Sequence, residues 1–425
     1  TLKGITEKLD YLVDLGITGI YLTPIFESRT QHRYDTVNYF EVDSRLGTKA
    51  DLKELVDSAH QRGLKVMLDA VFNHTSYYHP FFQDVVRHQK ESKYYPYYCF
   101  FQDPPINFDV DESLNPVNMR AIYERIHTEG PFLSFHSFAF GHGMPKTNVD
   151  YPPMRQHLLD AGCYWIKEFD IDGWRLDVAN EVSHDFWRDF RKACKAIKPD
   201  CFILGENWYD SEPWLRGDQF DGSMNFDLMF SLVSFLSAKP LLPYSANQFR
   251  DQLIDYVSRY SHAVLPYQFN LLDCHDTERF LSLVDGNLDL FKLSFVLLFA
   301  LPGAPVIYYG DEIGIGGEGP RGNREPMIWD ESKQNRDLFA FFKSLIAIRK
   351  QEPSFSQPSF ELPNLTNDSV LTLVKGPMIL SFNRSDQKQT IDLPFACQYD
   401  VWNHKDFKHP IVQRTLAPYG FSILK

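Results

Sequence analysis

Three carboxylates in this chain each follow a run that reads as a β-strand: Asp177 in GWRLDVANE (173–181), Glu206 in LGENW (204–208) and Asp276 in LLDCHDTERF (271–280). In an extended strand Arg175, Asp177 and Ala179 share one face, and Trp174, Leu176 and Val178 share the other. Burying an ionised aspartate costs several kcal/mol unless it is paired, and Arg175 is a partner on the same face. That pair alone fits a structural ion pair as well as a reactive centre. Other strand ends add Asp69, Asn73 and His74 in DAVFNH (69–74), and His275 beside Asp276. A lone acid at a strand end reads as a helix cap, as Asp311 and Glu312 do. Three carboxylates with two histidines and an arginine go beyond capping and point to catalysis.

Several chemistries use such groups. A metal centre would draw on histidines and carboxylates together, but no HxH or HExxH spacing is present, so metal catalysis is the weaker reading. Acyl transfer needs a GxSxG elbow, which is absent, and Cys274 would face away from His275 in an extended segment, so it reads as packing. Glycoside cleavage suits paired carboxylates: one ionised as nucleophile and one protonated as acid, about 5–5.5 Å apart when configuration is retained. Asp177 beside Arg175 is expected to stay ionised, and Glu206 near Trp208 to hold a proton in a drier setting.

Composition narrows the partners. A formal net charge of −13 disfavours nucleic acid and anionic membranes, because nothing offsets phosphate repulsion. A neutral substrate fits better. The aromatic share of 15% suits a core and equally suits stacking on sugar faces. The six cysteines, Cys99, Cys163, Cys194, Cys201, Cys274 and Cys397, show no metal spacing and read as reduced thiols, which points to a cytoplasmic protein. The most apolar run, LFKLSFVLLFALPGAPVIYY, contains Lys292 and is broken by Pro302, Gly303 and Pro305, short of the roughly 18 apolar residues a membrane span needs. No signal peptide is read.

The elements that carry these residues alternate. GITEKLDYLVDLG reads as a helix before the strand ITGIYLTPIF. ADLKELVDSAHQRG leads into LKVMLDAVF, MRQHLLDAGCYWIKEF into DGWRLDV, and SHDFWRDFRKACKAIKP into CFILGENW. The third of these helices has Ser183 as N-cap and Phe186, Phe190, Ala193 and Ile197 on one face. Further strands are expected at FDGSMNF, YQFNLL and APVIYY. Alternation over this length predicts an α/β fold, a (β/α)8 TIM-type barrel. Seven strands are counted and the chain opens on a helix, so the first strand is expected to be missing and the chain to be a fragment of a longer enzyme. The expected organisation is a barrel over 1–74 and 151–352, an inserted loop-rich domain over 75–150 after the third strand, and a C-terminal β-sandwich over 353–425 built from SVLTLVKG, MILSFN, QTIDLP and GFSILK.

DAVFNH, GWRLDVANE, GENW and LLDCHDTERF resemble, in order and spacing, the four sequence regions of the α-amylase family of glycoside hydrolases. MPKTN (144–148), GWRLDVANE and PWLRGDQFD (213–221) resemble its neopullulanase, cyclomaltodextrinase and maltogenic amylase subgroup. The resemblance implies a retaining α-glucan hydrolase acting on cyclodextrins, maltooligosaccharides or pullulan, with Asp177 as nucleophile, Glu206 as acid/base and Asp276 stabilising the transition state. It implies sugar contacts by Tyr34, His74, Arg175, His275 and Arg324, with Asp69 supporting Arg175 and with Trp208 and Arg279 toward the leaving side. It assigns no metal and requires no cofactor; calcium is left open without an assignment, and Asn73, calcium-associated elsewhere in the family, is read as structural. The resemblance implies a bacterial, cytoplasmic protein and is compatible with a homodimer in a longer form carrying an N-terminal domain. An α-1,6-glucosidase, a glucosyltransferase of the same family and a catalytically silent carbohydrate-binding homologue are the alternatives. Two departures bear on subsite preference: Thr147 stands where Leu is usual in MPKTN, and GIGGEGPRG lacks the Asp usual before Arg324.

Overall fold

The computed structural model describes residues 1–106, 134–138, 143–317, 322–363 and 367–425. Parts of the expected inserted domain (107–133 and 139–142) and of the GIGGEGPRG loop (318–321) lie outside the described residues. The chain divides into two compact units. The first comprises Thr1–Val13, Ile17–Asn207 and Pro213–Asp221, and the second Asp14–Gly16, Trp208–Glu212 and Gly222–Lys425.

In the first unit β1 (Gly19–Tyr21), β4 (Lys65–Ala70), β5 (Gly173–Leu176) and β6 (Phe202–Asn207) pair in parallel, with Gly19 opposite Lys65, Met67 opposite Gly173 and Gly173 opposite Phe202. Every residue of β5 is buried, as a strand covered on both faces must be. Trp174 on its outer face packs near Phe26 and Phe72 and donates from its indole N–H to the Gly162 carbonyl at 3.2 Å. Gly205, just before Glu206, is required by close packing: a Cβ there would lie 2.4 Å from the Phe220 ring.

The helix Pro152–Phe169 precedes β5 and buries Leu158, Ala161, Trp165 and Ile166, a stripe at helical spacing; it ends at Asp170 in the left-handed conformation, φ 59°. The helix His184–Ile197 precedes β6. Ser183 caps it as expected, and the buried face is Phe186, Trp187, Phe190 and Cys194, while Ile197 is 41% exposed. GITEKLDYLVDLG forms two short helices, Leu2–Thr6 and Leu9–Leu15, instead of one. A hairpin of β2 (Phe26–Ser28) and β3 (Thr36–Val42) follows β1, where the sequence suggested one continuous strand. Described residues of the 75–150 segment have their own core of Tyr77, Phe82, Val85, Val86, Tyr98, Ile106 and Phe135.

In the second unit β7 (Gly222–Asn225), β8 (Phe269–Asn270) and β9 (Ala304–Pro305) pair in parallel. The parallel strands among the described residues number seven, the count read from the sequence. The apolar run near residue 295 is the helix Leu288–Ala300, buried on nearly every side. No helix among the described residues is long and apolar enough to cross a membrane. At the C-terminus β10 (Val370–Lys375), β11 (Met378–Asn383), β12 (Gln389–Asp400), β13 (Lys405–Leu416) and β14 (Phe421–Leu424) form an antiparallel sheet in the order β10-β11-β14-β12-β13.

The C-terminal sheet is tied to the helix Leu288–Ala300 by a buried cation. Lys375, with no exposed surface, donates to the carbonyls of Ala300 (2.6 Å) and Phe355 (2.8 Å), and Arg349 donates to those of Phe299 and Gly303. These carbonyls at the helix C-terminus favour a cation. Burial nevertheless lowers the Lys375 amine to about 7, and the neighbouring Arg349 charge adds to the effect. An unfolded lysine titrates near about 10.4, so between these values the unfolded chain binds more protons and stability rises with pH. Denaturation midpoints measured from about pH 7 to about pH 9.5 should rise in the wild type relative to Lys375→Met, by on the order of 2 kcal/mol in unfolding free energy. A constant difference between the two proteins would show that Lys375 titrates as an ordinary lysine.

Candidate active site

Strand ends of the first unit bring Tyr34, Asp69, His74, Arg175, Asp177 and Glu206 together. Arg175 is completely buried and is their hub. Its Nη1 lies 3.1 Å from both Asp69 carboxylate oxygens and 2.7 Å from Asp177 Oδ1, and its Nη2 lies 2.5 Å from Glu206 Oε1. Tyr34 donates its hydroxyl to Asp69 Oδ2 at 3.0 Å, and its ring lies 5.8 Å from the guanidinium carbon. His74 Nε2 donates to the Tyr34 carbonyl at 2.8 Å, and Phe138 stacks face to face on the imidazole at 4.9 Å. Burial drives His74 down to about 3, so it is a neutral hydrogen-bonding group at working pH.

Asp177 Oδ2 is buried and has no hydrogen-bond partner among the described residues, while Oδ1 is held by Arg175. One oxygen is therefore fixed and the other is free to meet a ligand. Burial pushes the Asp177 carboxyl well above the usual carboxylate range; Arg175 opposes this, and the charges of Glu206 and Asp69 add to the rise. Arg175 and the two neighbouring acids therefore act on Asp177 in opposite senses. One guanidinium faces three carboxylates, and the excess negative charge favours proton uptake.

The backbone aims these groups. The Asp177 N–H donates to the Ala70 carbonyl at 3.0 Å. Val178 then turns into the left-handed region, φ 48° and ψ 43°, a conformation that opposes its β-branched side chain. The turn directs the Val178 N–H at Glu206 Oε2, 2.9 Å away, and the strain has a typical cost of about 1–3 kcal/mol.

MPKTN closes the same side of the first unit. Lys146 Nζ donates to Asn73 Oδ1 and, at 2.7 Å, to the Glu181 carbonyl, and it lies 3.9 Å from the Glu181 carboxylate. Among the described residues, Asn73 Oδ1 and the Glu181 carbonyl, oxygens of the kind that calcium takes, are thus engaged by an ammonium group. Thr147, in place of Leu, is buried and donates its hydroxyl to the Phe72 carbonyl at 2.7 Å, which ties the motif to the end of β4.

In the second unit Asp276 lies 3.0 Å from Arg324 Nη2 and 2.9 Å from His275 Nε2. Arg324 Nε donates to the His275 carbonyl at 2.8 Å. Trp208 stacks on Phe226 at 4.5 Å and 7°, next to the half-exposed Phe230. Arg279, expected to face the leaving side of a substrate, has no exposed surface: it donates to the Tyr309 carbonyl at 2.9 Å and packs its guanidinium 4.5 and 4.9 Å from the rings of Tyr308 and Tyr309. Its surroundings are those of a residue bracing the 308–311 turn.

A model of the α-amylase catalytic domain matches residues 1–333. The chain belongs to the α-amylase family. It is 42% identical over 406 residues to a cyclomaltodextrinase of Geobacillus thermopakistaniensis, covering 92% of this chain and 63% of that protein. It is 40% identical over 398 residues to an intracellular maltogenic amylase of Bacillus subtilis, again covering 92% and 63%. A solved cyclomaltodextrinase structure superposes with a TM-score of 0.89 at 34% identity, covering all of this chain and 71% of the other. The chain therefore has the family's β/α barrel fold with a C-terminal β domain, and it spans 63% of the length of each of the two curated relatives.

Sequence reasoning passed over three contributors. The Phe138 stack and the Val178 turn leave no signal in residue type. Asn323, beside Arg324, could have been found by its position: it is buried and its Nδ2 donates at 2.7 Å to the carbonyls of both His275 and Thr277, clamping the backbone on either side of Asp276. Asn323→Ala removes two such bonds, each worth about 1 kcal/mol. Any kcat/KM that depends on Asp276 should fall roughly tenfold or more, with the larger part in kcat, and steady-state kinetics on a maltooligosaccharide checks this. An unchanged kcat would show that the clamp does not position Asp276.

Proposed function

We propose that this protein is a retaining α-glucan hydrolase that cleaves α-1,4-glucosidic bonds in cyclodextrins, maltooligosaccharides or pullulan, and that it transfers glycosyl groups where a sugar replaces water. The observation that carries the reading is the division of labour on Asp177: Oδ1 is gripped by Arg175 and Oδ2 is free. In the first step Asp177 Oδ2 attacks the anomeric carbon while Glu206 gives its proton to the departing glycosidic oxygen, leaving a covalent glycosyl ester. In the second step Glu206 takes a proton from water, and the oxygen of that water displaces Asp177 and restores the starting configuration. The first step calls for Glu206 as the acid and an ionised Asp177 as the nucleophile.

In this reading Asp276, His275 and Arg324 bind sugar hydroxyls and offset oxocarbenium charge, and Tyr34, His74 and Arg175 line the sugar at the cleavage point. Trp208 stacks on the leaving side, and Arg279 acts by supporting its neighbours. The division into a barrel (1–74 and 151–352), an inserted domain (75–150) and a C-terminal domain (353–425) belongs to the same proposal. So do a cytoplasmic location, supported by six free cysteines and by the name of the intracellular relative, and a homodimer in a longer form.

Product analysis with β-cyclodextrin and with pullulan tests the reading: maltose and glucose from the first, or panose from the second, are expected. Cleavage of isomaltose in preference to maltotriose would make the protein an α-1,6-glucosidase instead. Asp177→Asn should lower turnover by roughly 10⁴-fold while the circular dichroism spectrum is kept, and appreciable residual activity would overturn the assignment.

No calcium is required in this reading, because Lys146 takes the cation's place. Dialysis against a chelator should leave activity unchanged. Lys146→Met should lower activity at least tenfold, and added calcium should not restore it. Loss of wild-type activity on chelation, regained with calcium, would refute the substitution of ammonium for metal.

A further inference from the structure

Cys274 was expected to face away from His275, as neighbouring residues of a strand do. The chain instead turns at this point: the Thr277 N–H donates to the Cys274 carbonyl at 3.3 Å, and the Asp276 N–H points at Cys274 Sγ at 3.4 Å. One ligand atom each from Cys274, His275 and Asp276 then lies within 4.8 Å of the other two, the one such cluster among the described residues.

We propose that Cys274, His275 and Asp276 bind a thiophilic divalent cation such as Zn²⁺ or Cd²⁺, and that its binding inhibits the enzyme. A thiolate, an imidazole and a carboxylate are the donor types zinc takes, at about 2.3 Å for sulfur and about 2.0–2.2 Å for nitrogen and oxygen. A tetrahedral ion at those distances holds its ligand atoms about 3.3–3.7 Å apart. His275 Nε2 and Asp276 Oδ2 are already 2.9 Å apart, so modest side-chain rotation completes the set. Arg324 donates to Asp276 Oδ1, and the Asp276 side chain, 31% exposed, gives access from solvent. Binding exchanges one proton for the metal: the Cys274 S–H bond breaks, the S–metal bond forms and the proton passes to buffer. The fourth position holds water. The metal draws Asp276 and His275 away from the sugar, so inhibition is competitive with substrate. That consequence rests on the proposed hydrolase reading; metal binding itself does not.

The test titrates the protein with Cd²⁺, reading the ultraviolet thiolate-to-cadmium absorption, and measures Zn²⁺ inhibition of β-cyclodextrin hydrolysis in the wild type, Cys274→Ser and Cys274→Ala. Serine keeps an acceptor for the Asp276 N–H, and alanine controls for any new hydroxyl contact. One equivalent of cadmium should give the band in the wild type. In both variants the part of the band due to Cys274 should vanish, and the Zn²⁺ inhibition constant should rise at least tenfold. Chelator should restore wild-type activity. An equal band and an equal inhibition constant in wild type and variants would overturn the site, as would no binding in the wild type. A cadmium band lost in the variants of a chain that hydrolyses no glucan would uphold the metal site and refute the hydrolase reading; full hydrolysis unaffected by zinc would do the reverse.

Discussion

A single buried guanidinium organises the first unit. Arg175 has no solvent contact and meets Asp69, Asp177 and Glu206, so its desolvation is offset only because three carboxylates from β4, the end of β5 and β6 converge on it. Removing the guanidinium would leave buried carboxylates without their cation, at a cost of about 3–5 kcal/mol for a broken buried pair. The strands must therefore keep register to within a fraction of a residue: Asp69 pairs with Arg175 across β4 and β5, and Arg175 with Leu204 across β5 and β6. The same constraint accounts for Gly205, which lets β6 pack on Phe220 and so sets the depth of Glu206.

Two aspartates at opposite ends of β5 show how surroundings decide what a carboxylate can do. Asp172, just before the strand, is also desolvated, but the Val66 N–H, Lys65, His60 and Lys198 outweigh that and bring it down to about 2. Four donors satisfy one carboxylate, and the result is a locked ionic anchor. Asp177, just after the strand, shares one guanidinium with two other acids and keeps an oxygen unpaired. It is undersupplied with donors, which makes it available to a ligand. An accounting of donors separates the structural acid from the reactive one where residue type and burial do not.

That accounting also explains what was legible in the sequence. The seven parallel strands could be read because buried strands need apolar runs ended by turn residues, and the site carboxylates because polar residues at the ends of such runs have few structural uses. The β2–β3 hairpin was hidden because ITGIYLTPIF, which runs from β1 into Phe26 of β2, reads as one apolar strand. The stacking of Arg279 on Tyr308 and Tyr309 was not legible, because both rings are about 30 residues away in sequence. The facing of Cys274 was misjudged because alternation was applied past the end of the strand, where the backbone turns. Errors of this kind arise where several long-range partners converge, which is also where the chemistry lies.

Asn73 in the first unit and the 274–277 turn in the second meet cations in different ways, and the reason is covalent attachment. Lys146 delivers its ammonium on a side chain fixed by MPKTN, so Asn73 and Glu181 are joined by a cation that cannot diffuse away. Its cost is desolvation, which lowers the Lys146 amine, and the Glu181 carboxylate opposes that effect. At the 274–277 turn Arg324 reaches Oδ1 of Asp276. On the proposed reading the Asn73 side takes its cation from Lys146, and the Cys274 side is where a sugar and a free metal ion would compete. The choice of Cys at 274 is then a sensitivity of the reaction centre and not merely a packing detail, because the thiol is the donor that turns a weak histidine and carboxylate pair into a three-ligand site.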